Sequence, residues 1–241
     1  MDGAVKRGGQ EEPAWYCLDY EKTGRLIYLS HLDLLSLWER AFRRSGLPLF
    51  WRRGFRPRPR LSAGPALPLG VASRAEVLAL ALVRPLACDE IRERLARQLP
   101  VGIVLRRVRP GRDVAPPDRQ AWRLLFPRPL PRAGELRARI EAAGPVQDRR
   151  GRRHDPAAAV LDLRVAGREL RLLLATPGGR GLRPDGLAPL LGVGRPEMIE
   201  KMAAGGRSED IQGNTKETDD TQIADQRGRP GGTPHRRRGK R

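Results

Sequence analysis

The stretch Gly54-Phe55-Arg56-Pro57-Arg58-Pro59-Arg60-Leu61-Ser62, preceded by Arg52 and Arg53, holds the densest chemistry in the chain. Arginine recurs at every second position from 56 to 60, with proline between. Proline fixes φ and favours an extended or polyproline-like backbone, which would array these guanidiniums along a stiff strip. Guanidinium forks take phosphate oxygens two at a time and need no catalytic machinery to do so. Phe55 beside them could stack on an unpaired base or on an arginine plane. The alternative is a proline-stiffened loop in which Phe55 plugs the core and the arginines are merely solvated. Arg40, Arg43 and Arg44 add cations on or beside the polar face of a nearby helical segment. The candidate nucleic-acid contacts are therefore Arg40, Arg43, Arg44, Arg52, Arg53, Phe55, Arg56, Arg58 and Arg60.

Ser30, His31 and Asp33 form the one acid–base grouping. Ser30 and Asp33 have the spacing of a helix cap, with Asp in the place where a capping box usually has Glu. A nearby carboxylate would keep His31 titratable near neutral pH, yet local spacing does not make a triad. His31 and Asp33 are the catalytic candidates, with capping as the simpler reading. His154 lies in a basic run, residues 149–155, without metal-ligand spacing. Pro177-Gly178-Gly179-Arg180-Gly181 lacks the Lys-Ser/Thr ending of a P-loop and reads as a tight turn. No cofactor or metal is expected.

The elements that must position these residues follow from periodicity. Residues 16–20 alternate as a strand, residues 22–24 turn, and residues 25–29 extend or return that strand. A helix over residues 31–45 has Ser30 as its N-cap and Gly46 just past its end, with Pro48 blocking continuation. Its apolar stripe is Leu32, Leu35, Trp38 and Phe42, with Leu34 and Ala41. Residues 47–51 read as a short strand. Residues 52–70 contain four prolines and three glycines, so an irregular excursion is expected there. Strands over 76–82 and 101–108 flank a helix over 88–99. This order of elements suits an α+β, ferredoxin-like sandwich with both helices on one face of an antiparallel sheet. Residues 110–117 read as a linker. Beyond them a shorter α+β half is expected: strand 122–126, helix 132–143, a hairpin of 160–165 with 168–175, and helix 184–191. The domain plan is a flexible 1–14, a core over 15–110, a second half over 118–193, and a disordered polar tail over 194–241. A short helix across 197–204 is the one element expected in that tail.

Composition bounds the rest. The 241 residues carry 47 Lys plus Arg against 28 Asp plus Glu, a net charge of +19. Residues 201–241 hold ten cations and six acids, so +15 resides in the body and the excess is not a property of the tail. Nearly all the cations are arginine in a chain rich in Ala, Gly, Pro and Leu, a bias that GC-rich coding also produces. Charge alone therefore does not separate a polyanion site from a solvated surface, although it draws nucleic acid in either case. No run of apolar residues is long enough to span a bilayer, and the basic start leads into polar residues rather than a signal-peptide core. Cys17 and Cys88 are the only cysteines. A disulfide framework is thus not expected, and the expected location is a reducing cytoplasm.

Two blocks resemble a known family. Glu21-Lys22-Thr23-Gly24-Arg25-Leu26 running into Leu29-Ser30-His31-Leu32-Asp33-Leu34, together with residues 40–48, resembles the opening of the radical SAM-linked protein family. Gly54-Phe55, Pro57, Pro59-Arg60-Leu61-Ser62 and residues 65–71 resemble its second signature. The likeness covers about residues 15–110 and weakens to about residue 193. This bacterial family of unknown function occurs alone or fused to B12-binding radical SAM proteins. The resemblance implies an association with radical SAM enzymes and a role for His31 and Asp33 beyond capping. Where the family pattern has Asn and His this chain has Arg56 and Arg58, which keeps phosphate contact and disfavours a metal. Without a cysteine triplet to ligate an iron–sulfur cluster, the chain is not itself a radical SAM enzyme. The favoured expectation is a non-catalytic RNA-associated protein. The alternatives are an accessory subunit that docks on a radical SAM enzyme through residues 67–71 and aromatic side chains, and an enzyme that uses His31 and Asp33.

Overall fold

The computed structural model describes residues 12–52, 54–148 and 151–202. Strand β1, Ala14–Lys22, turns Tyr16, Leu18 and Tyr20 into the core. Gly24, at φ 59, then diverts the chain, and residues 24–28 wind into a 3-10 turn instead of prolonging the strand. Helix α1, His31–Arg44, starts at Ser30, whose hydroxyl accepts from the Asp33 amide. Its buried face is Leu34, Trp38, Ala41 and Phe42, whereas Leu32, placed on the stripe by spacing, faces solvent. The expected glycine stop is present, with Gly46 at φ 67.

The excursion expected to be irregular carries three short strands instead. These are β2, Trp51–Arg52; β3, Arg58–Pro59; and β4, Leu61–Ala63. β2 and β3 pair with each other as a separate two-stranded arm, where prolines cost little because no third strand needs their amides. β4 joins the main sheet beside β5, Val71–Leu82, which starts earlier than its periodicity suggests. Helix α2, Cys88–Ala96, and β6, Ile103–Pro110, complete the first half. β1 lies between β5 and β6, antiparallel to both. The order β6-β1-β5-β4 is that of a ferredoxin-like sandwich, so the α+β expectation holds.

The second half contains β7, Arg119–Leu125, and α3, Ala133–Ala142. A small hairpin of β8, Val146–Gln147, and β9, Arg153–His154, leads into the one-turn α4, Pro156–Ala159. Then follow β10, Val160–Ala166, β11, Glu169–Ala175, and α5, Pro184–Leu191. The last element corrects the sequence reading. Residues 198–202, expected to be helical within a disordered tail, form strand β12, Met198–Met202. β12 runs parallel to β5 and antiparallel to β7, and so joins both halves into one eight-stranded sheet. Residues 203–241, the rest of that expected tail, lie outside the described residues, as do residues 1–11 of the expected flexible start.

Two apolar clusters hold the sheet. One packs Trp38, Phe42, Ile91 and Leu95 on Leu18, Leu78 and Leu80, and the other packs Leu136, Ile140, Leu187 and Leu191 on Leu124, Leu172 and Leu174. The residues read as a linker lie against the sheet: the Cys17 thiol donates to the carbonyls of Gly111 and Asp113 at 3.3 and 3.2 Å. No described helix is long and apolar enough to cross a membrane.

Candidate nucleic-acid interface

The β2–β3 arm stands beside the outer face of α1, and side chains from both lock it there. The Arg43 guanidinium lies 4.6 Å over the Trp51 ring and donates to the Pro57 carbonyl at 3.2 Å. Glu39, one turn back, reaches Arg58 at 3.8 Å. Arg52 donates to the Leu61 carbonyl at 3.2 Å and ties the arm to β4. Arg60 is not part of an exposed strip. Its guanidinium sits 5.5 Å from the Trp15 ring and 5.7 Å from the Phe50 ring, while its backbone bonds to Phe50 and Ala81. Arg44 turns away from the arm and donates to the Gln98 side-chain and backbone oxygens at 3.2 and 2.9 Å.

What remains accessible is a smaller set. Phe55 at the tip of the arm is fully exposed, at 104% of its reference area, so it does not plug the core. Arg56 beside it and Arg40 on α1 are exposed, and their side chains bond to no described residue. Arg58 keeps 65% of its side-chain area open. In the arm's register Arg52 faces Arg58 directly, a like-charge pair that an anion would relieve. Arg53 lies outside the described residues. The structure thus holds Arg43, Arg52 and Arg58 in or against the arm, with Phe55 and Arg56 at its tip and Arg40 exposed on α1. It assigns Arg44 and Arg60 other partners.

His31 and Asp33 go separate ways. The Asp33 carboxylate accepts from the Ser30 hydroxyl at 2.6 Å, completing the cap. His31 lines a different place, a cleft of about 10 Å³ shared with Tyr20, Lys22, Leu34, Leu67 and Glu76. That space suits a single water. Lys22 is 1% exposed there and donates to the Leu29 carbonyl at 3.1 Å. Burial pushes its ammonium pKa below the ordinary lysine value, and the Glu76 carboxylate opposes that shift. Glu76 in turn accepts from Ser73 at 2.7 Å and from Lys201 at 3.0 Å. Burial likewise raises the Tyr20 phenol. Nothing in the sequence marks this cluster, because residues 20–22, 73–76 and 201 meet only through sheet pairing. Among the described residues no group of three or more His, Cys, Asp or Glu is arranged around a metal site.

A known family is similar to the first half of the chain. Residues 16–128 match the family described as an uncharacterized protein conserved in bacteria, DUF2344. That span covers the sandwich and β7. No curated protein matches the chain. Among solved structures, it is similar to a chain of the archaeal box H/ACA sRNP Nop10–Cbf5 complex, at 14% identity and a TM-score of 0.39. Another likeness is to a chain of an H/ACA RNP bound to a substrate RNA containing 2'-deoxyuridine, at 13% identity and a TM-score of 0.38. The matches cover 77% and 78% of this chain, which spans 46% of the length of either structure's chain.

Proposed function

We propose that the protein is a non-catalytic, RNA-associated accessory protein that grips a single strand between the β2–β3 arm and the outer face of α1. The carrying observation is the fully exposed Phe55 at the tip of an arm whose base is stapled to the fold. A large apolar ring held in water and flanked by free guanidiniums suits stacking on an unpaired base while phosphates meet the cations. Arg40, Arg56 and Arg58 supply the phosphate contacts, and Arg43 and Arg52 fix the arm.

Titrating the full chain with a short fluorescent oligouridylate tests this reading. Phe55→Ala should weaken binding by the equivalent of about 1–3 kcal/mol, the scale of one base stack. Replacing Arg40, Arg56 and Arg58 by Gln should flatten the slope of log K against log salt by roughly 0.7 per lost contact. Removal of residues 203–241 should cost less than either. If that truncation removes most of the affinity and Phe55→Ala removes none, the arm is not the interface.

The resemblance to radical SAM-linked proteins supports a second reading, docking on a radical SAM enzyme through residues 67–71. Leu69 in that segment is 64% exposed. A radical SAM enzyme that co-purifies equally well with the triple Gln variant, and is lost on Leu69→Glu, would favour it.

A further inference from the structure

A second concavity shares no residue with the arm. The loop residues Pro68 and Leu69, Val71 of β5, Trp122 of β7, Ile199 of β12 and residues 183–185 at the start of α5 line a cleft of about 520 Å³. Small-molecule sites usually fall between about 300 and 1,000 Å³ and combine apolar walls with a few polar groups. Here the walls are Pro68, Leu69, Val71, Ile199 and Pro184, and Ile199 pairs directly with Val71 in the sheet.

The polar groups in this cleft lack partners. The Arg183 guanidinium and the Asp185 carboxylate, both exposed, bond to no described residue. Trp122 is 5% exposed, and its indole N–H has no acceptor among the described residues. A buried donor is nearly always satisfied by protein, water or ligand, so an orphan beside a cleft points to a missing acceptor. Arg183 also stands at the N-terminal end of α5, where the helix dipole favours an anion.

We propose that this cleft binds a compact apolar carboxylate. Its acid head pairs with Arg183 and supplies the acceptor for the Trp122 N–H after a small side-chain adjustment. Its hydrocarbon body lies on Leu69, Val71 and Ile199. Asp185 accepts from a hydroxyl or amine next to the acid.

Calorimetric titration of the full chain with 2-naphthoate and with the neutral 2-naphthamide tests the assignment. The naphthoate should bind with one-to-one stoichiometry and about 10- to 100-fold more tightly than the amide, the scale of one charge-assisted hydrogen bond. Arg183→Gln should erase that preference, and Leu69→Glu should weaken naphthoate further by adding a like charge at the mouth. Arg128→Gln, at an exposed arginine that does not line the cleft, should change nothing. Equal binding of acid and amide, or a preference that survives Arg183→Gln, overturns the acid-head assignment. Absence of saturable binding by both compounds overturns the site itself. RNA affinity plays no part in any of these readouts.

Discussion

Lys22 shows what a single side chain reveals when the rest of the composition is biased. Lys22 and Lys201 are the only lysines among the described residues, whose other basic side chains are nearly all arginine, and both lie against Glu76. The space explains the choice: an ammonium fits where a planar guanidinium does not. Lys22→Arg should therefore overpack the cleft and destabilise by about 1–3 kcal/mol in urea unfolding. Lys22→Met should cost less than about 1.5 kcal/mol, because Glu76 keeps Ser73 and Lys201 and a buried ammonium is removed. The pH dependence has a definite sign. The folded pKa lies below the ordinary 10.5, so in the window between them the unfolded chain binds more protons. Stability of the native protein relative to Lys22→Met should therefore rise as pH climbs through that window toward 10.5. A difference that stays flat with pH would show that the folded lysine titrates as a solvated one does. None of this was legible in the sequence, where Lys22 reads as a turn residue. Phe55 was half legible: its spacing allowed either a plug or a stacking ring, and only exposure separates them.

At the scale of elements, α1 and β12 teach opposite lessons. The helix α1 was readable end to end, because Ser30, Gly46 and the Trp38–Phe42 spacing are local signals. β12 was not. Met198, Ile199 and Met202 fit a helical repeat as well as a strand, and what decides is the space between the edges of β5 and β7. Its position between two strands makes its amides structural. Ile199→Pro should destabilise by about 2–4 kcal/mol, since proline removes a ladder donor from an interior strand. A loss within experimental error in thermal melts would mean that β12 is dispensable. The arm makes its own prediction through Glu39, which neutralises Arg58 from 3.8 Å. An exposed pair of this kind contributes at most about 1 kcal/mol to stability, so Glu39→Gln should barely shift the melting temperature. It should nevertheless tighten oligouridylate binding and steepen its salt dependence by roughly 0.7, because one more cation becomes available to phosphate. Unchanged binding would remove Arg58 from the interface.

The whole molecule balances two electrostatic systems of different range. Ion pairs step across the sheet: Arg106 with Glu21 at 2.8 Å, Arg74 with Glu200 at 2.7 Å, Arg123 with Glu200 at 3.4 Å and with Glu169 at 3.3 Å, and Arg171 with Glu169 at 2.6 Å. Against this stands a net charge of +19, whose mutual repulsion acts over longer distances. The screening length falls from about 10 Å at 0.1 M salt to about 3 Å at 1 M, so added salt removes the long-range repulsion well before it weakens contacts below 3 Å. Moderate salt should therefore raise the melting temperature, and a fall would mean that the pairs outweigh the repulsion. Polyanions extend the argument to binding. Any ligand that prefers the folded state stabilises it by RT ln(1 + [L]/Kd). Heparin carries charge but no bases, so its stabilising effect should survive Phe55→Ala. Oligouridylate offers both, and its effect at matched charge should drop in that variant. Equal loss for the two polyanions would reduce Phe55 to a support for the arm's shape, and equal retention would leave the +19 acting as undirected charge.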